Sequence, residues 1–489
     1  MKLQLLVLAF TAGSASAAAF FQLPNTIRDP APKDEYASGA VHMGLRAAKE
    51  STFSRQREAG AYDSTQYQTA SIQTVGDANQ LKARCVNGKA AGYSCKNIDL
   101  YDYKSHSELG SQTGEGSSSW GWTSPEGREI MVVAQADGAA FAEITKEGRI
   151  VYLGRLPRTT TSVKAMIWRE IRVYDHYAVI GSEAEGHHIQ IFDLTKLLKI
   201  DPKSPVTFDP EKDVTGLYKN LPVGRTHNIV INQEKKYAVA VGAVPRNTGC
   251  AAGLIFIDLT DPSNPTSPGC AAQDGYVHDA QCLVYRGPDK EFNGRDICYG
   301  YNEDTLTIFD VTSKTNTTIL SRTSYDSAKY THQGWVLDPQ NQEYLILDDE
   351  YDEYDKAGIA AEGFPITYIW DIKSLRAPKL TGYYKSGQKS IDHNQYIANG
   401  LSYQSNYAAG LRILDISSIP QDPTGKGVKE IGFFDVYPED DNTPGLVDFV
   451  GSWSSYGLFK SGYVAINSIE RGLFVVKLQK NKDEVYGQK

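Results

Sequence analysis

The chain has 489 residues, 41% of them hydrophobic, with 43 glycines, 30 tyrosines and 21 prolines. That length can bury a large core, and that mix suits many short strands joined by turns better than long helices. A formal net charge of −9 with no offsetting basic stripe excludes nucleic acid as a partner.

Residues 1–19 read as a secretory signal. Lys2 gives the positive start, Leu3–Phe10 the apolar core and "ASAAA" the small-residue cleavage site, with cleavage expected after Ala17 or Ala19. The apolar run is too short to span a bilayer, and no later segment looks transmembrane, so no membrane span is expected after signal removal. Residues 20–84 form an N-terminal extension. Its "HMGLRAAKESTFSRQREAG" has helical character between polar, Gly- and Ser-containing flanks. It is expected to be a loosely ordered leader or a packed extension with no function of its own.

Residues 85–480 repeat one unit. Around His227, "HNIVIN" is a strand, "QEKK" a turn, "YAVAVGAV" a second strand and "GLIFIDL" a third. The third-strand pattern recurs as "HIQIFDL", "TLTIFDV", "TYIWDI" and "GLRILDI", with weaker copies in "AAFAEI" and "GLFVVKL". Inner strands open near Trp120, Arg169, His227, His278, His332, His393 and Trp453, at intervals of 49, 58, 51, 54, 61 and 60 residues. Seven units of four short strands predict an all-β fold, a seven-bladed β-propeller, rather than a linear solenoid with polar caps. The last unit ends on its third strand at Leu478, before a polar tail at 481–489. The missing outer strand is predicted in "NIDLYDYKSHSEL", 97–109, which would close the ring from the N-terminal side and remove exposed edges.

Six cysteines behind a secretory signal favour disulfides, with 15 possible connectivities. Sequence neighbours close short loops, so Cys85–Cys95, Cys250–Cys270 and Cys282–Cys298 are expected. Asn316 in "NTT" is the single N-glycosylation acceptor.

In a propeller, the start of each inner strand and the loop between strands two and three share a face. That geometry gathers Arg169, Glu183, His187, Arg225, His227, His278, Asp279, Glu303, His332, Asp349, Glu350, Asp392, His393 and Tyr407 into one polar funnel. His227, His278, His332 and His393 are candidate ligands for a transition metal. The same residues also have a purely structural reading, in which each ring bonds neighbouring backbone and ties blades together. "LDDEYDEYD", 347–355, offers hard oxygen ligands for Ca²⁺, although its spacing is not that of an EF-hand and a solvated acidic loop is the preferred reading. Asp193, Asp258, Asp310, Asp371 and Asp415, ending third strands, are expected to cap turns on the opposite face. Trp120, Trp122, Trp168, Trp335 and Trp453 read as core or hub packing, with Trp120 and Trp453 candidates to line the funnel.

Stretches such as "SWGWTSPEGREIMVVAQADGAAFAEI", "WREIRVYDHYAVIGSEAEGHHIQIFDL", "HDAQCLVYRGPD", "THQGWVLD", "LDDEYDEYD" and "SNYAAGLRILDI" carry a resemblance. Over roughly residues 84–478 the chain resembles the choice-of-anchor B family of secreted LVIVD-repeat β-propellers. The resemblance implies an extracellular or surface-anchored propeller and brings no assigned catalytic residues. Two departures stand out: release into the medium rather than anchoring after the propeller is expected, and the polar hub positions ahead of "WGW" are Ser117–Ser119. The expected function is ligand or surface-partner binding by a secreted monomer, with polysaccharide or a surface protein as partner. The alternative is an extracellular enzyme. A polysaccharide lyase would use a hub histidine as base and Arg225 as stabiliser, and a hydrolase would hold a metal-bound water.

Overall fold

The computed structural model describes residues 22–68 and 82–479. Residues 1–19, which read as a signal, and residues 481–489 lie outside them. Seven antiparallel sheets form a ring, as the repeat predicts. Their innermost strands are Gly116–Thr123, Arg169–Tyr174, Asn228–Asn232, Asp279–Val284, Thr331–Val336, Ile391–Ala398 and Ser452–Tyr456, defining blades one to seven. Blades stack face to face, so their strands are covered on both sides. This is why a second strand such as Glu129–Gln135 is buried at every residue and shows no polar alternation.

The ring closes as expected, within tighter limits than 97–109. Ile98–Ser105 pairs antiparallel with Gly472–Leu478, matching Tyr103 to Phe474 and Ile98 to Leu478, and supplies the fourth strand of blade seven. Residues 106–110 leave the sheet as a turn. The three expected disulfides are present: Cys85–Cys95, Cys250–Cys270 and Cys282–Cys298. The five third-strand aspartates cap turns. In each case the side chain accepts the backbone N–H two residues on, at 2.8 Å for Thr195, 2.8 Å for Thr260, 3.0 Å for Thr312, 2.9 Å for Lys373 and 3.0 Å for Ser417. Asn316 is exposed at a bend.

Of the two readings of the extension, residues 22–68 follow the packed one. Thr26–Arg28 adds a fifth strand to blade four. A helix at Ala40–Glu58 then lies across one end of the ring, burying Leu45, Lys49, Thr52 and Phe53. Gly39 opens it at φ 79°, a left-handed conformation that favours glycine. Arg55 and Thr52 bond Asp448, and Arg57 meets Glu115 at 2.6 Å.

Candidate functional site

Four imidazoles form an arc around one end of the channel. Ring centroids are 4.3 Å apart for His227 and His278, 4.4 Å for His278 and His332, and 4.7 Å for His332 and His393. Tyr407 continues the arc 4.7 Å from His393. Local backbone explains the aim. The inner strands of blades five and six carry a register shift at His332 and at His393, and such bulges redirect a side chain.

Each ring is oriented through Nδ1. His278 Nδ1 donates to the carbonyl of His332 at 3.0 Å, and His393 Nδ1 to the carbonyl of Trp453 at 2.6 Å. A carbonyl only accepts, so these bonds fix the proton on Nδ1 and leave Nε2 as the lone-pair nitrogen. His332 Nδ1 lies 3.2 Å from Asp348, and His227 Nδ1 lies 2.5 Å from Glu183. In His278 and His393 the Nδ1 bond reaches the next blade and ties the two together, as the structural reading expects, and the Nε2 lone pair is left available. Burial holds His278, His332 and His393 well below the usual histidine range, so they are neutral at pH 7.

Glu350 sits between two of these rings. His332 Nε2 is 3.6 Å and His393 Nε2 3.5 Å from its oxygens, and one ligand atom from each of the three residues lies within 4.8 Å of the others. Tyr407 donates to Glu350 Oε1 at 3.1 Å, while the buried Oε2 has no hydrogen-bond partner. Two ligands on a tetrahedral zinc, each bonded at 2.0–2.1 Å, would be about 3.4 Å apart. The donor set and its spacing fit a small divalent ion.

The helix plugs this mouth with a basic stripe. Lys49 Nζ is 2.5 Å from Glu350 Oε1, under the rings of Tyr407, Phe449 and Trp453 at 5.6–5.7 Å. Arg46 pairs with Glu183, which also receives Arg225 at 3.0 Å. Burial alone would raise Glu183, but the His227 hydrogen bond and the Arg46 charge hold it below the carboxylate range. His42 reaches the Tyr330 hydroxyl at 2.7 Å and lies 4.0 Å from Glu303. Arg246 binds Glu303 with two hydrogen bonds at 2.7 and 3.0 Å. Burial outweighs that pairing and pushes Glu303 up to about 7. Only about 20 Å³ of cavity remains beneath the helix, enough for one water-sized guest.

The structure thus brings together Glu183, Arg225, His227, His278, Glu303, His332, Glu350, His393 and Tyr407. Other candidates go elsewhere. Arg169 and His187 bond each other at 2.7 Å, and Arg169 Nε bonds the Gln135 carbonyl, so this pair ties blade one to blade two. Asp279 accepts from Gln333 at 3.0 Å in the channel wall, and Asp349 caps the backbone of Lys329 and Tyr330. Ser117 bonds the Arg169 carbonyl and Ser119 the Ser454 hydroxyl, so these serines tie blade one to blades two and seven. Trp453 does line the mouth, edge-on to His393 at 5.2 Å. Trp120 does not. It lies at the opposite opening, against Arg172 and Tyr396. His42, Arg46, Lys49 and Arg246 were not singled out from the sequence, although the i, i+4, i+7 spacing of the first three is legible in "HMGLRAAK".

"LDDEYDEYD" is not a solvated loop. Asp348, Asp349, Glu350, Asp352 and Glu353 are all buried, and Asp392 joins them. Burial pushes Asp348, Asp352, Glu353 and Asp392 well above the carboxylate range, which favours their protonated forms. Such groups stabilise fully below the unfolded values of 3.8–4.5, and the contribution is lost as pH rises through the folded value. Glu353→Gln removes the need for that proton. At pH 7.5 it is expected to be neutral or stabilising by up to about 1–2 kcal/mol. Its advantage over the parent should vanish by pH 5 in paired thermal scans. The comparison cancels the histidines, whose depressed values act in the opposite direction.

No family model matches the chain. It is 20% identical over 237 residues to protein transport protein SEC31 of Dictyostelium discoideum, covering 48% of this chain and 16% of that protein. The crystal structure of the computationally designed Ika8 protein aligns at a TM-score of 0.40 with 9% identity, covering 74% of this chain and 95% of that one. The chain spans less than a fifth of the curated relative it matches, so neither similarity carries an activity across. What the sheet topology establishes by itself is the fold: the protein is a seven-bladed β-propeller.

Proposed function

We propose that the imidazole mouth holds a divalent transition-metal ion through His332, Glu350 and His393, in a space that takes a single small guest, and that the propeller is an extracellular binding protein. The observation that carries this reading is the unpartnered Glu350 Oε2 buried beside two neutral imidazoles of the hub arc. Two imidazoles and one carboxylate suit Zn²⁺ or Fe²⁺, whereas Ca²⁺ takes oxygen ligands. The second reading is hydrolysis. Three protein ligands would leave positions open on the ion for water, and the Asp348 side chain, 3.2 Å from His332 Nδ1, is the group that would fix that ring's orientation.

The resemblance to choice-of-anchor B proteins, the signal-like start and three disulfides support secretion, with Asn316 as the glycosylation site. Calorimetric titration with Zn²⁺ tests the metal site. The parent is expected to bind one equivalent, Ca²⁺ none, and His393→Ala to lose more than about 100-fold in affinity, exceeding the loss typical of an outer partner. Equal Zn²⁺ affinity in parent and His393→Ala would sink this reading. Turnover of a polysaccharide or ester panel by the Zn²⁺-loaded protein would favour the hydrolase over pure binding.

A further inference from the structure

We propose that the channel opening opposite the imidazole mouth is a second binding site, for a neutral β-linked oligosaccharide. A cavity of about 380 Å³ opens there, walled by inner strands of blades one to six and lined by Trp120, Arg172, Gln233, Gln281, Trp335 and Gln340. That volume is in the range of small-ligand sites. Both indoles meet the buried Tyr396 ring edge-on, Trp120 at 5.0 Å and 90° and Trp335 at 5.2 Å and 89°. One phenol therefore sets the spacing of two aromatic walls at a single pocket.

Charge selects the ligand class. Arg172 lies 4.5 Å over Trp120 and is paired with Glu170, and Arg286 on the rim meets Glu234 at 2.9 Å. Every formal charge lining the pocket is matched, so it offers nothing unpaired to a uronate or an ammonium group. What remains is the Trp335 indole and the part of Trp120 that Arg172 does not cover, with amides at their edges. The Gln281 oxygen accepts the Val336 N–H at 2.8 Å, and its NH₂ has no partner among the described residues. A β-linked glucosyl ring carries axial C–H groups on both faces and hydroxyls around its equator. Its faces match indole and its equator matches amides.

The test is titration of the full-length protein with cellotetraose, followed by tryptophan fluorescence and calorimetry. Saturable binding is expected, weakened by about tenfold in Trp335→Ala and Trp120→Ala and largely kept in Trp335→Phe. His393→Ala should bind the sugar as the parent does, which separates this site from the metal reading. No saturable binding by the parent, or parent-like binding by a correctly folded Trp335→Ala, would overturn the proposal. Loss of binding in His393→Ala would place the sugar in the other mouth and overturn it equally.

Discussion

Replacing Lys49 with Met is expected to destabilise the protein by about 3–5 kcal/mol in the presence of a chelator. Lys49 is 4% exposed and Glu350 fully buried, so the substitution leaves a carboxylate in low dielectric whose remaining side-chain hydrogen bond among the described residues is the Tyr407 hydroxyl. The same change empties the place of one cation beside two imidazole nitrogens. Added Zn²⁺ should then restore most of the melting temperature, because an ion that binds only the native state adds its binding free energy to stability. Two controls decide between causes. Glu350→Gln combined with Lys49→Met should recover stability without metal and lose the Zn²⁺ response. Identical melting of Lys49→Met with Zn²⁺ and with chelator would show that Lys49 serves packing alone.

Tyr103→Ala should cost about 3–5 kcal/mol, the usual range for truncating a large buried aromatic. Tyr103 is 2% exposed, packs 4.5 Å from Phe474, and donates its hydroxyl to the Arg471 carbonyl at 2.8 Å. It lies on the strand that closes blade seven, so its loss weakens the seam between the two ends of the propeller. Chemical denaturation should show a lower midpoint, and hydrogen exchange should rise first in Gly472–Leu478. Exchange rising uniformly over all blades would mean that the seam has no special weakness.

The ring was legible because its signals are local. Strand, turn, strand and a capping aspartate recur within each unit, and a buried strand next to a turn reads the same in all blades. The histidine arc followed from that count alone. What escaped depends on contacts between distant segments. Lys49 and Glu350 are three hundred residues apart, and nothing in either stretch announces the other. The acidic run read as solvated because charge usually means exposure. Here Tyr325 and Tyr368 hydroxyls, Lys49 and backbone N–H groups hold it inside. Trp120, a candidate for the funnel, lies at the other end for a simpler reason. Counted from its bulge, "GSSSW" aligns with "THQGW", so Trp120 matches Trp335 three positions past the hub histidine. Trp453 matches the histidine itself.

The seam also dictates when the molecule can be finished. Ile98–Ser105 leaves the ribosome early but finds its partner only when Gly472–Leu478 has been made. At ordinary elongation rates that wait is on the order of tens of seconds. Throughout it, the waiting strand and each newest blade present unpaired edges. Unpaired edges are open to association with other chains for the whole interval, and truncation before the last blade should yield insoluble material rather than a smaller ring.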